Sequence, residues 1–160
     1  MADLLADVKD QDALPIYGNP GHLARRLHQI AVSIFLSETE EFGITPVQYA
    51  ALTVVSAYPG VDQRSLARMI AFDRSTIGDV VIRLEKKGLL DRRAGEDRRI
   101  KRLFITKQGM ALWERIQEPI GRFERILLEP LAEGEQAIFM YLLHKLVNKN
   151  NELSRVPLEM

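Results

Sequence analysis

The chain contains no cysteine. That removes disulfides, thiolate metal ligands, a catalytic thiol and any sensor that works by cysteine oxidation, and it suits a reducing cytoplasm, the location expected for the protein. Long hydrophobic runs are also missing. No segment approaches the roughly 20 apolar residues of a membrane helix, so no membrane association is expected. The first twenty residues, MADLLADVKDQDALPIYGNP, hold four acids and one lysine without a sustained apolar stretch and do not read as a secretory signal. A glycine loop that would cradle phosphate, a serine elbow and a paired-carboxylate site are absent too. His22 and His28 stand about 240 degrees apart on a helix, not on one face as a zinc pair would, so no metal, cofactor or catalysis is expected. Net charge is absent as well, with 22 basic residues against 22 acidic.

That balance conceals a split. From Arg64 to Lys107 there are thirteen Lys or Arg and six Asp or Glu, and the remainder holds nine against sixteen. A positive module therefore sits between acidic flanks, either as a solvated charged surface or as a contact surface for a polyanion. At 160 residues and 46% hydrophobic, the chain is of the size that buries one core.

After an irregular arm, residues 1–21, the segment HLARRLHQIAVSIFLSETEEFG predicts a long amphipathic helix stopped by Gly43. Thr45 as N-cap and Pro46 at the first helical position open a second helix, which Pro59-Gly60 closes. Two short helical patterns follow, the first around Arg64 to Ala71 and the second capped by Asp73 and ended by Gly88. Only Ala71-Phe72 separates them before the cap, the spacing of a helix-turn-helix. Leu89 to Ala94 and Ile100 to Thr106 read as strands joined by Gly95-Glu96-Asp97, a charged hairpin. The fold class is thus mainly α with a small β-hairpin wing. Thr106 caps a further long helix in which Pro119 is expected to make a bend. The last helix, GEQAIFMYLLHKLVNKNNEL, is apolar over more than one stripe and is expected to be buried on two sides, in a core or between subunits.

On the helix from Arg74, the residues Ile77, Val80, Val81 and Leu84 fall within about 100 degrees and face inward. Ser75, Asp79, Ile82 and Lys86 lie opposite, flanked by Thr76 and Arg83. Hydrogen-bonding groups at the N-terminal end of such a face are what a recognition helix presents to base edges. An ordinary solvated face is the alternative. The stretch RRAGEDRRIKRLFIT, Arg92 to Thr106, folds six basic side chains onto one projection, where they repel unless a polyanion neutralises them. An arginine at the tip suits the minor groove, and basic residues on the strands, Arg93 and Lys101 among them, suit phosphates. Asp97 either holds a neighbouring guanidinium or is a plain turn residue.

GITPVQYAAL, RSLARMIAFDRSTIGDVVIRLEKKGLLDRR and EDRRIKRLFITKQG together resemble the MarR family of bacterial transcription regulators, over about His22 to Val147. The resemblance implies a winged helix-turn-helix with a helical dimerisation region: one unit over 22–160, with the DNA-binding part at 45–106 and dimerisation helices at 22–44 and 107–150. It further implies a homodimer on palindromic double-stranded DNA, and a small aromatic acid as effector between the two regions. By position, Ser75, Thr76 and Asp79 would read bases, Arg74, Arg83 and Lys86 would hold the backbone, and Arg98 and Arg99 would serve the wing. NPGHLARRLHQIAVSIFL with TPVQYAAL is similar, more narrowly, to members that repress nicotinic acid degradation genes and respond to a hydroxylated pyridine carboxylate.

A carboxylate effector needs a cation or several donors in an apolar pocket. His22, Arg25 and His28 recur at three-residue spacing on the first helix, and Tyr49 and Trp113 are rings able to stack. Arg25 and Arg26 as surface or interface charges, with Tyr49 and Trp113 as core, is the other reading. A winged-helix protein-interaction module, favoured by an exposed Ile82, and a constitutive DNA-architectural dimer without effector remain alternatives to the regulator.

Overall fold

The computed structural model describes residues 15–95 and 100–158. Its elements run α1 (Pro20–Glu38), α2 (Pro46–Ala57), α3 (Gln63–Met69), α4 (Arg74–Lys86), β1 (Leu90–Ala94), β2 (Lys101–Ile105), α5 (Lys107–Arg115), α6 (Gln117–Leu128) and α7 (Glu133–Lys149). No helix among them is long and apolar enough to cross a membrane.

The helix-turn-helix follows from its caps. Thr45 and Gln48 form a reciprocal capping box at the start of α2, with Pro46 behind it. Asp62 caps α3, its carboxylate accepting from the Arg64 and Ser65 amides at 2.9 Å each. Asp73 does the same for α4. Between α3 and α4 the chain turns through Ala71 at φ 53°, left-handed backbone in a residue with a Cβ. Where the two helices meet, a Cβ on Gly78 would stand 3.2 Å from the Gln63 side-chain Nε2, a tight contact that this side chain would have to yield.

β1 and β2 pair antiparallel from Leu90 opposite Ile105 to Ala94 opposite Lys101. The chain before α3 adds a third edge, since Gly60 N–H donates to Leu103 O at 2.8 Å and Leu103 N–H to Val61 O at 2.9 Å. The wing is therefore stitched to the entrance of α3. Leu52, Val55, Leu66, Ile77, Val81, Leu84, Leu90 and Leu103 are buried together, so α2, α3, α4 and the hairpin share one core. Each such side chain contributes about 1.5–3 kcal/mol by leaving water.

Three expectations are corrected. α1 ends at Glu38 rather than at Gly43, because the Thr39 hydroxyl and amide both return to Phe35 O, at 2.7 and 3.0 Å, and the next three residues tighten into a 3-10 turn. The first helix of the pair ends at Met69, two residues short of Ala71, whose left-handed backbone cannot continue it. The expected long bent helix is two, joined at Ile116. Pro119 has no N–H for the Arg115 carbonyl, and the break falls at the next residue.

α7 has no buried residue, and Ile138, Tyr141, Leu146 and Val147 are each more than half exposed. It is not a core helix of the protomer. The apolar residues Ile16 and Tyr17 before α1, and Leu23 and Ile30 along its first three turns, are exposed as well.

Candidate functional site

α4 presents the face expected of it. Ile77, Val80, Val81 and Leu84 are buried, while Ser75, Asp79, Ile82, Arg83 and Lys86 are exposed and Thr76 is half-buried. Arg74 stands at the N-terminal edge of this face. Beside it opens a cleft of about 590 Å³ between α3, the start of α4 and the turn end of the hairpin, lined by Asp62, Gln63, Arg64, Ser65, Arg68, Arg74, Ile100 and Lys101. Among its described lining residues four cations stand against one carboxylate, a positive cleft that meets the polar face of α4 at Arg74. Arg64 and Arg68 of α3 were not singled out by the sequence pattern. Their spacing of four residues behind an Asp cap, on the helix preceding α4, was the signal available.

The hairpin cations differ in what already engages them. Arg92 is hydrogen-bonded to Glu85, which raises the arginine's pKa and lowers the glutamate's; the pair ties β1 to α4. Arg93 lies over the Phe104 ring at 4.5 Å and beside Asp91 at 3.4 Å. Arg102 donates to Gly60 O at 3.1 Å. Arg74, Arg83 and Lys86 make no ion pair with any described residue. Asp97, Arg98 and Arg99 lie outside the described residues.

A second cavity, about 290 Å³, opens between α1, α2 and α6. Phe35, Phe123, Ile120, Val32 and Pro46 give it apolar walls; His28, Tyr49 and Glu124 give it polar groups. Phe35 meets Phe123 edge-on at 5.9 Å and Tyr49 at 6.0 Å, a ring cage of the kind that accepts a flat aromatic molecule. The Tyr49 hydroxyl donates to Gln117 Oε1 at 3.4 Å. Of the residues expected at such a site, His28 and Tyr49 come together here. His22 and Arg25 do not line it; they sit one to two turns earlier on α1, Arg25 Nη2 3.3 Å from His22 Nδ1 and Arg25 Nη1 donating to Gln29 at 3.0 Å. Trp113 packs against the core with its ring N–H on the Thr53 hydroxyl at 3.1 Å. Phe123 and Glu124 were not anticipated, since only the packing of α6 on α1 brings them to the cavity, against Phe35 of α1.

Residues 42–100, which span the helix-turn-helix and the first wing strand, match the MarR family. The fold is shared with the PcaV transcriptional regulator of Streptomyces coelicolor, solved with its natural ligand, at 38% identity and a TM-score of 0.77 over 85% of this chain and 96% of that one. BpsR of Bordetella bronchiseptica, whose DNA binding is regulated by 6-hydroxynicotinic acid, aligns at 26% identity and a TM-score of 0.75 over 80% and 92%. The transcriptional repressor CouR, solved on a 23-mer DNA duplex, aligns at 25% and 0.77 over 81% and 93%. The caps, the positive cleft beside α4 and these likenesses lead to one conclusion: the chain belongs to the MarR family of DNA-binding transcriptional regulators.

Proposed function

We propose that the protein is a homodimeric repressor of a palindromic operator, released by a small aromatic carboxylic acid, with a hydroxylated pyridine carboxylate as the leading class. The observation that carries this reading is the pairing of two sites in one protomer: a positive cleft beside the exposed polar face of α4, and a ring-walled cavity between α1, α2 and α6. In this reading Ser75, Thr76 and Asp79 meet base edges in the major groove, and Arg74, Arg83, Lys86, Arg93 and Lys101 meet phosphates. Arg98 and Arg99 belong to the wing's approach to the minor groove.

The effector's ring fits between Phe35, Tyr49 and Phe123, with His28 as the cavity's own partner for a carboxylate. Arg25, one turn before His28, reaches the mouth only by leaving His22 and Gln29. His22 thus acts on the site through Arg25, while Trp113, held on Thr53, packs against the core outside the cavity lining. The exposed apolar surfaces of α7 and the start of α1 join two copies. The similarity of BpsR, which responds to 6-hydroxynicotinic acid, supports the ligand class.

Footprinting on the protein's own promoter tests the reading. Two protected half-sites related by a two-fold axis, with centres roughly 34–36 Å apart, are expected. A single unpaired protected site, or protection without sequence preference, would leave an architectural role instead.

A further inference from the structure

A hydroxyl has one proton to donate, so what Ser75 and Thr76 can recognise depends on where their protons already go. Asp73 receives both. Its Oδ1 accepts from the Ser75 hydroxyl at 2.5 Å and its Oδ2 from the Thr76 hydroxyl at 2.6 Å, while the Thr76 amide donates to Oδ1 at 2.8 Å. The direction of each bond is fixed, because an ionised carboxylate only accepts. The same bonds, the Ser75 hydroxyl's foremost, hold the Asp73 carboxyl well below the usual carboxylate range. Asp79, exposed one turn further along α4, adds a second carboxylate to this face.

We infer that Asp73 sets the base preference of α4: by taking both hydroxyl protons it leaves Ser75 and Thr76 as hydrogen-bond acceptors, which with Asp79 select the amino groups of adenine or cytosine. In the major groove adenine N6 and cytosine N4 donate, whereas guanine O6 and N7 and thymine O4 only accept. An acceptor-only face therefore favours the first pair on the contacted strand and leaves the second with unpaired lone pairs opposed to its own. The inference rests on the proposed operator reading, in which this end of α4 meets base edges. Asp73 touches no base in it; it is a positioning residue acting through Ser75 and Thr76.

Selection from a pool of randomised duplexes, with the full-length protein and its D73N variant, tests it. Asparagine keeps a carbonyl oxygen for the Thr76 amide and so keeps the helix cap. Its amide nitrogen cannot accept the Thr76 hydroxyl, whose proton is then free to donate. Wild type is expected to favour A or C over G or T by about tenfold at the positions contacted by the start of α4. D73N is expected to lose that preference at one position in each half-site and to retain the rest of the half-site. T76V, which has neither donor nor acceptor there, should lose the preference for A or C at the same position without gaining G, and it decides the matter if D73N fails to fold. Selection of G or T by wild type, or the same bases chosen by wild type and D73N, or by wild type and T76V, overturns the inference and leaves the operator reading standing. A wild-type protein that selects no sequence removes both.

Discussion

Replacing Arg74 by alanine takes one cation per protomer from the cleft between α3 and the wing, and two from the proposed dimer on DNA. Arg74 makes no ion pair with a described residue, so its loss leaves no described carboxylate unpaired. Each neutralised phosphate contributes about 0.9 to the slope of log affinity against log salt, so the variant's slope should be shallower by about 1.8. Across a fourfold change in salt, from about 50 to about 200 mM, the variant's deficit relative to wild type should therefore shrink about twelvefold. Fluorescence anisotropy on a labelled operator duplex at four or five salt concentrations measures this directly. Arg93→Ala is the control built into the structure: its guanidinium already lies over Phe104 and beside Asp91, so its slope change should be smaller. A slope for Arg74→Ala equal to that of wild type would refute the assignment of the cleft to phosphate. A larger change for Arg93 than for Arg74 would place the phosphates along the outer wing instead.

Gly109→Ala should be among the most destabilising single changes, by about 3 kcal/mol, because its Cβ would stand 2.1 Å from Leu89 O and 2.9 Å from Ile105 Cγ1 where α5 begins against the hairpin; thermal melting of the purified variant checks this. Leu146→Glu, on the exposed apolar face of α7, should shift sedimentation from dimer to monomer and weaken operator binding while the far-ultraviolet spectrum of the fold is unchanged. His28→Ala should weaken release by an aromatic acid about tenfold or more without altering operator affinity in its absence, read by competition titration. Burial pushes the Asp62 carboxyl up, but the amides of Ser65 and Arg64, the Ser65 hydroxyl and the charge of Arg102 together bring it below its ordinary value. Its stabilising effect is therefore complete above the unfolded carboxyl's pKa of about 4 and is lost as pH falls through the lower folded value. Asp62→Ala should accordingly lose less stability than wild type over that acid range, in a pH series of melting curves.

What could be read in advance was local. Thr45 with Pro46, Asp73, Thr106 and Gly88 are punctuation acting over one turn of chain, and each stands at an element boundary in the fold. The inward face of α4 was legible for the same reason, since Ile77, Val80, Val81 and Leu84 repeat at the helical period. The misplaced boundaries turn on single side chains that the periodicity does not see: the Thr39 hydroxyl folded back on Phe35 O, and Pro119 lacking a donor for Arg115 O. The wide apolar surface of α7 had two readings, in a core or between subunits, and its exposure in the folded protomer removes the first. The cavity was least legible. It is built from α1, α2 and α6, and nothing in the spacing of Tyr49 or His28 announces that Phe123 and Glu124 will face them. Arg25 and Trp113 were chosen by chemistry rather than by position. The fold turns the first onto His22 and Gln29 and the second onto Thr53.

In the proposed function a positive cleft and a ring-walled cavity share one protomer, and filling the second releases DNA from the first. The direct measurement is a gel-shift on the protein's own promoter DNA at about 150 mM salt, where the Debye length is only about 8 Å and weak nonspecific binding is suppressed. Titration with 6-hydroxynicotinate, benzoate, salicylate and coumarate compares ring acids that differ in their second polar group. Release of wild type by one of them at a concentration that leaves His28→Ala bound is the predicted result. Tight binding that none of the four disturbs, or release that is the same with and without His28, would contradict it.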